Sequence, residues 1–223
     1  MPNALMGRGV ENHEEFVRAV LGGNPVARAK VDDLTFTSWQ RCRDQYGLDP
    51  AHAPDPLIIP RSDLRDRQEG VGHLLEIARP EMTNLYQQLA GSGHAIILTD
   101  REGVLMNYIG DPGFTHAAAD VGIRTGAVWS EAVQGTNGMG TCVIERKPLV
   151  IHKSAHYFTS NASLTCAAAP IFDPHGDVLA ILDASSEAQL AQQHTMVLLN
   201  MSAQVIENRV FFCAMKEAYV FRF

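Results

Sequence analysis

The residues with the clearest chemical potential lie in the second half of this 223-residue chain. The stretch GAVWSEAVQGTNGMGT, residues 126–141, places three glycines within six positions, shortly after Trp129 and Glu131. Glycines at this density indicate a backbone that approaches another group closely or adopts positive φ. The G-x-x-G-x-G spacing matches neither the dinucleotide fingerprint nor the P-loop, which disfavours a phosphate cradle. We predict instead that a helix starts here, with Thr136 or Asn137 as its N-cap.

A catalytic centre is not predicted. The chain has no G-x-S-x-G elbow, no HExxH motif and no carboxylate pair whose spacing requires acid–base chemistry. His152 and His156 are four residues apart, but His152 ends an apparent strand, so the pair does not share a helix face. A metal or redox site built from His156, Cys166 and Asp183 stays open as an alternative. We expect no enzyme activity, no cofactor and no bound metal.

A small-molecule pocket fits these residues better. Trp129 offers a large amphipathic surface, Asn137 and Thr141 offer hydrogen-bonding groups, and the alanines at 167–169 leave room on a strand. A concave apolar space with a few polar groups is the usual composition of a ligand site. The candidate ligand-binding residues are Trp129, Glu131, Asn137, Thr141, His156, Phe158 and Cys166. The competing interpretation is that Trp129 and Phe158 are ordinary core residues.

Bulk composition narrows the class of protein. The formal net charge of −7 argues against nucleic-acid binding by this chain. The four cysteines are widely spaced without a CxxC pair, which is typical of reduced thiols in a cytosol. The sequence has no apolar run of membrane-spanning length and no signal-peptide core. We therefore expect a cytoplasmic protein that does not insert into membranes.

The pattern of elements predicts an α+β fold. Helical segments occupy the N-terminal part and end in a proline-rich connection near residues 50–60, and a longer helical pattern runs from Asp63 to Gly91 with an interruption at Pro80. Two β-hairpin patterns follow, at 94–110 and 164–185, each turning at Asp and Gly residues. Between them we predict a helix over 114–121 and a short strand over 148–152. Helices would therefore flank an antiparallel sheet.

The closing helix, predicted over 186–219, carries a heptad pattern. Its seam positions are Leu198, Met201, Val205, Asn208, Phe212, Met215 and Tyr219. An Asn at a seam position costs stability but fixes the register of a coiled coil. The pattern predicts either a helix pair in a homodimer or a helix that packs on its own domain.

Several of these motifs occur together in one known family. The segments SWQRCRDQYGLDP (38–50), GAVWSEAVQGTNGMGT (126–141) and LTCAAAPIFDPHGDVLAILDAS (164–185) resemble the N-terminal sensory region of sigma-54-dependent, Fis-family activators of the acetoin-catabolism regulator type. The resemblance covers most of the chain from Leu34 onward. Family members often have a serine where this chain has Ala167-Ala168, so the pocket here is expected to be less polar.

The resemblance implies a GAF domain, with its PAS-like antiparallel sheet. It divides the chain into an N-terminal helical segment (1–62), a GAF sensor domain (63–205) and a signalling helix (206–223) that leads towards an AAA+ ATPase and a Fis-type helix-turn-helix in the complete regulator. We therefore expect a homodimeric ligand sensor for a short ketone, alcohol or diol. The alternatives are a GAF domain that binds a protein partner and the metal or redox sensor described above.

Overall fold

The computed structural model describes residues 13–110, 122–187 and 193–215. The helices are α1 (His13–Leu21), α2 (Pro25–Arg28), α3 (Asp33–Asp44), α4 (Arg61–Gly70), α5 (Gly72–Gln88), α6 (Glu131–Gln134), α7 (Gly138–Glu145) and α8 (Gln193–Ala214), and the strands are β1 (Ala95–Asp100), β2 (Leu105–Gly110), β3 (Leu149–His152), β4 (Thr165–Phe172) and β5 (Val178–Ser186). The predicted α+β class is confirmed. The helix predicted over 114–121 and the seam residue Tyr219 lie outside the described residues.

The five strands form one antiparallel sheet in the order β2-β1-β5-β4-β3. Both predicted hairpins, β1–β2 and β4–β5, are confirmed, as is the short strand β3. In each hairpin an aspartate holds the turn: Asp100 Oδ1 and Asp173 Oδ1 each accept hydrogen bonds from two backbone N–H groups of their own turn. The Asp and Gly residues of the sequence pattern are therefore the residues that close the turns.

Helices cover both faces of the sheet. Helices α5 and α8 pack on one face, in a core that includes Ile96, Leu98, Ala169 and Leu182. The opposite face carries Ile97, Thr99, Cys166, Ala168, Ile181 and Asp183, and the segment from Trp129 through α7 lies over it. Since both faces are covered, nearly every residue of β1, β4 and β5 is buried.

The long helical pattern before the first hairpin is divided differently from the prediction. Helix α5 continues through Pro80, and the break lies earlier, at Val71 between α4 and α5. Gly70 and Gly72 flank this break, and adjacent glycines weaken a helix because their backbone loses the most entropy on ordering. The apolar face of α5, which includes Met82 and Leu85, packs against the sheet on both sides of the proline and supports the helix there.

The proline-rich connection is extended, as predicted, and runs beside the residues that precede Trp129. Ile58 forms an isolated antiparallel bridge with Ala127. The N–H of Ile59 donates to the carbonyl of Gly126, and the carbonyl of Leu57 accepts from the N–H of Val128. This pairing connects the N-terminal segment to the strand-like entry of the glycine-rich stretch.

The N-terminal segment also packs directly on the part of the chain that follows residue 62. Trp39 of α3 is fully buried, and its indole N–H donates to the carbonyl of Ala155 at 3.0 Å. The hydroxyl of Tyr157 donates to the carbonyl of Leu48 at 2.8 Å, and His13 Nε2 donates to the carbonyl of His156 at 3.0 Å. The segments expected as 1–62 and 63–205 therefore share one buried interface.

Among the described residues, no helix combines the length and apolar character that crossing a membrane requires.

Candidate functional site

The glycine-rich stretch seats α7 on the sheet. Asn137 is the N-cap, as predicted: its Oδ1 accepts from the N–H of Gly140 at 2.8 Å, and its Nδ2 donates to the carbonyl of Gly135 at 2.8 Å. A Cβ atom on Gly138 would lie 2.5 Å from Asp183 Oδ2 and 2.6 Å from Cys166 Cβ. Gly140 lies similarly against the backbone of residues 129–131. These glycines permit close approach between protein segments.

A chain of buried polar side chains lies beneath the start of α7. Cys166 Sγ lies 3.5 Å from His156 Nε2 and 3.1 Å from the Ser185 hydroxyl, and Ser185 Oγ lies 2.5 Å from Asp183 Oδ1. His156 Nδ1 donates to the carbonyl of Lys153 at 3.0 Å, which leaves Nε2 of the neutral ring as an acceptor for the thiol. The structure thus joins His156, Cys166 and Asp183 through one hydrogen-bonded series.

Burial shifts the protonation equilibria in this series. It raises the pKa of Asp183 to about 7, although the hydrogen bond from Ser185 opposes the shift. It lowers the pKa of His156 to about 4. The thiol pKa of Cys166 is raised, because burial and the charge of Asp183 both disfavour the thiolate. At neutral pH the histidine and the thiol are neutral, and Asp183 is divided between its acid and its carboxylate form.

Two oxygens on this sheet face have no hydrogen-bond partner in the described part of the protein. They are Thr99 Oγ1 and Asp183 Oδ2, and both residues are fully buried. Buried polar side-chain atoms are bonded in the large majority of cases, so each exception calls for a reason. Asn161 Nδ2, in the loop before β4, is a third such atom.

Trp129 is 1% exposed and packs in the core of the same sheet face. Its indole N–H donates to the carbonyl of Gly122 at 3.2 Å. Four cavities walled by described residues lie elsewhere in the protein. One of them, of about 630 Å³, lies between the β4–β5 turn and α8. Trp129 lines none of these four. The small-molecule pocket expected around Trp129 stays a prediction.

Glu131 and Thr141 belong to a buried ionic network. Arg41 Nε donates to Glu131 Oε1 at 2.8 Å, and the hydroxyls of Ser38 and Thr141 donate to Oε2 at 2.6 and 2.7 Å. Burial opposes the charge of Arg41, but its bonds to Glu131 and Glu145 outweigh that effect and raise its pKa. The network links α3 of the N-terminal segment to α6 and α7.

Phe158 lies in a different cluster from Trp129. Together with Tyr157 it packs against Val17 and Trp39 of the N-terminal segment. The seven predicted ligand-binding residues therefore divide: Trp129 and Cys166 face the sheet core, His156 bridges towards Cys166, Asn137 caps α7, Glu131 and Thr141 share the ionic network, and Phe158 meets the N-terminal helices. The sequence pattern does not predict that Ser38 and Arg41 bind Glu131, or that Thr99 lies on this sheet face.

The alternative metal site lacks support from the geometry. Among the described residues, no group of three or more His, Cys, Asp or Glu side chains could hold a metal ion. His156 and Cys166 are adjacent, but Ser185 lies between Cys166 and Asp183 and bonds to both.

Helix α8 buries only one of its two apolar faces. Leu199, Ala203 and Ile206 are buried against the domain. The predicted seam lies on another side: Met201 is 58% exposed and Phe212 is 45% exposed. We name the seam residues Leu198, Met201, Val205, Asn208, Phe212 and Met215 the α8 stripe. Packing on the chain's own core accounts for Leu198, which is partly buried there, but not for the exposed Met201, Val205 and Phe212.

The fold matches that of a solved structure. The crystal structure described as the E. coli DhaR(N)–DhaL complex superposes with a TM-score of 0.79 at 16% sequence identity, over 83% of this chain and 63% of that one. The two chains share a fold, and the GAF-like α+β architecture expected from the sequence is confirmed. The molecule is therefore an α+β domain of the GAF-like class.

Sequence comparison defines its family. The chain belongs to the family described as MimR, N-terminal domain, whose model matches residues 13–208. The Acetoin catabolism regulatory protein of Cupriavidus necator is 36% identical over 199 residues, which are 87% of this chain and 30% of that protein. The Propane 2-monooxygenase operon transcriptional activator MimR of Mycolicibacterium smegmatis is 29% identical over 81% of this chain and 30% of its own length.

The chain thus spans less than a third of the length of these curated relatives. Its relatives are named as transcriptional regulators, so the chain is a regulatory domain and not an enzyme.

Proposed function

We propose that this chain is the effector-sensing region of a cytoplasmic, sigma-54-dependent transcription activator. A small metabolite, a short ketone, alcohol or diol, binds between the sheet and helices α6 and α7. Its binding controls an AAA+ ATPase in the full-length regulator, through a signalling segment over residues 206–223. The proposed lining is the predicted set Trp129, Glu131, Asn137, Thr141, His156, Phe158 and Cys166. The names of the relatives, which refer to acetoin and to propane 2-monooxygenase operons, support an effector of this size.

The observation that carries the proposal is the polar character of a fully buried sheet face. Thr99 and Asp183 lie among apolar residues such as Ile97 and Ile181, and each has an oxygen without a hydrogen-bond partner in the described residues. A face that served only as core would be expected to avoid this cost. A ligand that supplies the missing hydrogen bonds would offset it.

The first test is a thermal-shift screen of this chain with short oxygenated metabolites. A ligand present at one hundred times its Kd stabilises the folded state by about 2.7 kcal/mol. For a protein of this size that corresponds to a rise in Tm of about 5–10 °C. If no compound in the screen raises the Tm, the effector-sensing proposal is contradicted.

The two tryptophans provide a matched pair for locating the site. Both are buried, and both donate an indole hydrogen bond to a backbone carbonyl. We expect Trp129→Phe to reduce the shift that a binding metabolite produces, because Trp129 lies over the proposed site, whereas Trp39→Phe should retain it. Equal responses of the two variants would remove Trp129 from the site.

The signal would leave through paired α8 stripes in a homodimer. An effector can shift an equilibrium only by binding one arrangement more tightly than another, and a helix pair with an Asn at its seam offers defined arrangements. We expect Met201→Lys to convert the dimer to a monomer in sedimentation equilibrium. Gln193→Lys, at the exposed start of the same helix and ahead of the α8 stripe, should leave the dimer intact.

A second candidate function is the sensing of a protein partner. The observation in its favour is the exposed α8 stripe, which a partner could cover in place of a second copy. The structural match to a chain crystallised in the DhaR(N)–DhaL complex is consistent with it. A wild-type chain that sediments as a monomer, together with an empty metabolite screen, would favour this function over the first.

A further inference from the structure

Two buried oxygens on neighbouring strands identify a position where a ligand can bind. Ile97 of β1 is paired with Asp183 of β5, and Thr99 is paired with Ile181, so Thr99 and Asp183 are diagonal neighbours on the same face. Diagonal neighbours in an antiparallel pair have Cβ atoms about 7 Å apart or less. Thr99 Oγ1 and Asp183 Oδ2 are both without a hydrogen-bond partner among the described residues.

The rest of this sheet face is well bonded, so the two oxygens are not a sign of loose packing. Ser185 lies within hydrogen-bond distance of Asp183 Oδ1, and Cys166 within that of both Ser185 and His156. Only the second oxygen of the carboxyl group lacks a partner. The bonded oxygen fixes the orientation of the carboxyl group and holds Oδ2 in one place.

We propose that Thr99 and Asp183 are the hydrogen-bonding anchors of the effector site, and that the effector is a small neutral molecule bearing a hydroxyl group. This inference rests on the proposed function and narrows its ligand class, since a carboxylate at Asp183 favours compounds with a hydroxyl group over compounds whose oxygens are all carbonyls. Neither residue is in the ligand set predicted from the sequence.

The hydroxyl requirement follows from the chemistry of the two anchors. Burial holds the pKa of Asp183 near 7, so its carboxyl group is present in both protonation states at neutral pH. A hydroxyl group can donate to the carboxylate and can accept from the acid, whereas a carbonyl can only accept. Thr99 can donate or accept in turn. One hydroxyl, or two oxygens on adjacent carbons, can therefore satisfy both anchors.

The neighbouring residues limit the size and charge of the ligand. The anchors lie beside Ile97, Ile181 and Ala168, and Gly138 approaches Asp183 from α7. Apolar walls suit a short carbon chain. A cationic ligand would have to lose its hydration at a fully buried site, where the carboxyl group is itself neutral in part, so a neutral molecule is favoured.

The test uses three probes with the same four-carbon skeleton: butane-2,3-diol, 3-hydroxybutan-2-one and butane-2,3-dione. Titration calorimetry on the whole chain at about pH 9, where Asp183 is a carboxylate, should show binding of the two hydroxyl compounds and at least a roughly tenfold weaker affinity for the dione. Thr99→Val should weaken binding of the hydroxyl compounds about 5- to 10-fold, the effect of one net hydrogen bond. Its Tm should not fall, because valine replaces an unbonded hydroxyl.

Asp183→Asn provides the second variant. It replaces an acceptor with an amide that can donate from the Oδ2 position, so the dione should gain affinity relative to the diol. Thr165→Val is the matched control: Thr165 is a buried threonine of β4 on the opposite face, with its hydroxyl 2.8 Å from His152 Nδ1. It should lower the Tm without changing the affinity for any probe.

The outcomes separate this inference from the proposed function. If the wild type binds the diol and both anchor variants bind it equally well, the anchors are wrong and effector sensing stands. If the dione binds as tightly as the diol, the hydroxyl requirement is wrong. If none of the three probes binds but the thermal screen finds an effector without a hydroxyl group, the ligand class is wrong and effector sensing stands. If the screen also finds nothing, both proposals fail.

Discussion

Asp183 makes the stability of this domain depend on pH, and one substitution removes that dependence. Burial raises its pKa from 3.8 to about 7 in the folded state, against the opposing hydrogen bond from Ser185. Between these two values the folded protein keeps a proton that the unfolded chain has lost. The free energy of unfolding therefore falls as the pH rises through this window, and the loss is complete above the folded-state pKa. Asp183→Asn has no proton to lose.

The magnitude follows from the size of the shift. A pKa shift of about three units corresponds to about 4 kcal/mol, of which about 3 kcal/mol falls between pH 5 and pH 8. We expect the wild type to lose about that much stability, relative to Asp183→Asn, over this range. His156 contributes with the opposite sign because its pKa is lowered, but it is present in both proteins and cancels in the difference.

Urea unfolding followed by tryptophan fluorescence measures the effect, since Trp39 and Trp129 are both buried and report on separate parts of the core. Thr99→Val is the control, because it alters the same sheet face but retains the titrating carboxyl group. It should follow the wild-type pH dependence. If the difference between wild type and Asp183→Asn is the same at acidic and alkaline pH, the argument that burial shifts this carboxyl group is refuted.

Three further substitutions test separate parts of the site. Arg41→Met should lower the free energy of unfolding in urea by about 3–5 kcal/mol, because it leaves the charge of Glu131 buried without its partner. Adding Glu131→Gln should recover part of that loss. Additive losses from the two substitutions would show that Arg41 and Glu131 are not coupled. Gly138→Ala should lower the free energy of unfolding by about 1–3 kcal/mol, because the added Cβ overlaps Asp183 and Cys166. Gly70→Ala, with nothing within 4 Å of the added Cβ, should change it by no more than about 1 kcal/mol. Equal effects of the two substitutions would contradict the close packing of α7 on the sheet. Between pH 8 and pH 5 the lowered pKa of His156 should reduce the free energy of unfolding of the wild type by about 2 kcal/mol, and His156→Asn should abolish this reduction. An equal reduction in the variant would contradict the lowered pKa.

The local parts of the fold were predictable because short-range chemistry determines them. The two hairpins have an aspartate and a glycine at each turn, and the turn bonds of Asp100 and Asp173 account for both. Asn137 was predictable as an N-cap because a cap needs only the residues that follow it in sequence. The α8 stripe stays a prediction from spacing, although the exposure of Met201, Val205 and Phe212 is consistent with it.

The contacts that frame the site were not predictable, because they join residues far apart in sequence. Arg41 and Glu131 are separated by 90 residues, and no spacing rule relates them. Helix α5 continues through Pro80 because its packing against the sheet outweighs local propensity. Thr99 is an ordinary strand residue in the sequence, and only the register of β1 on β5 places it beside Asp183. The one available signal was a threonine that follows four aliphatic residues in β1.

The network around Glu131 has a consequence for where this regulator can be divided. Its positive partner and one of its hydroxyl partners come from α3, before the proline-rich connection, while the carboxylate itself follows the second strand. A chimaera joined within that connection would replace α3 by a helix from another protein. Glu131 would then be buried without Arg41 to compensate its charge. The junction of such a chimaera should therefore lie before His13, so that helices α1 to α3 stay with the sheet against which they pack.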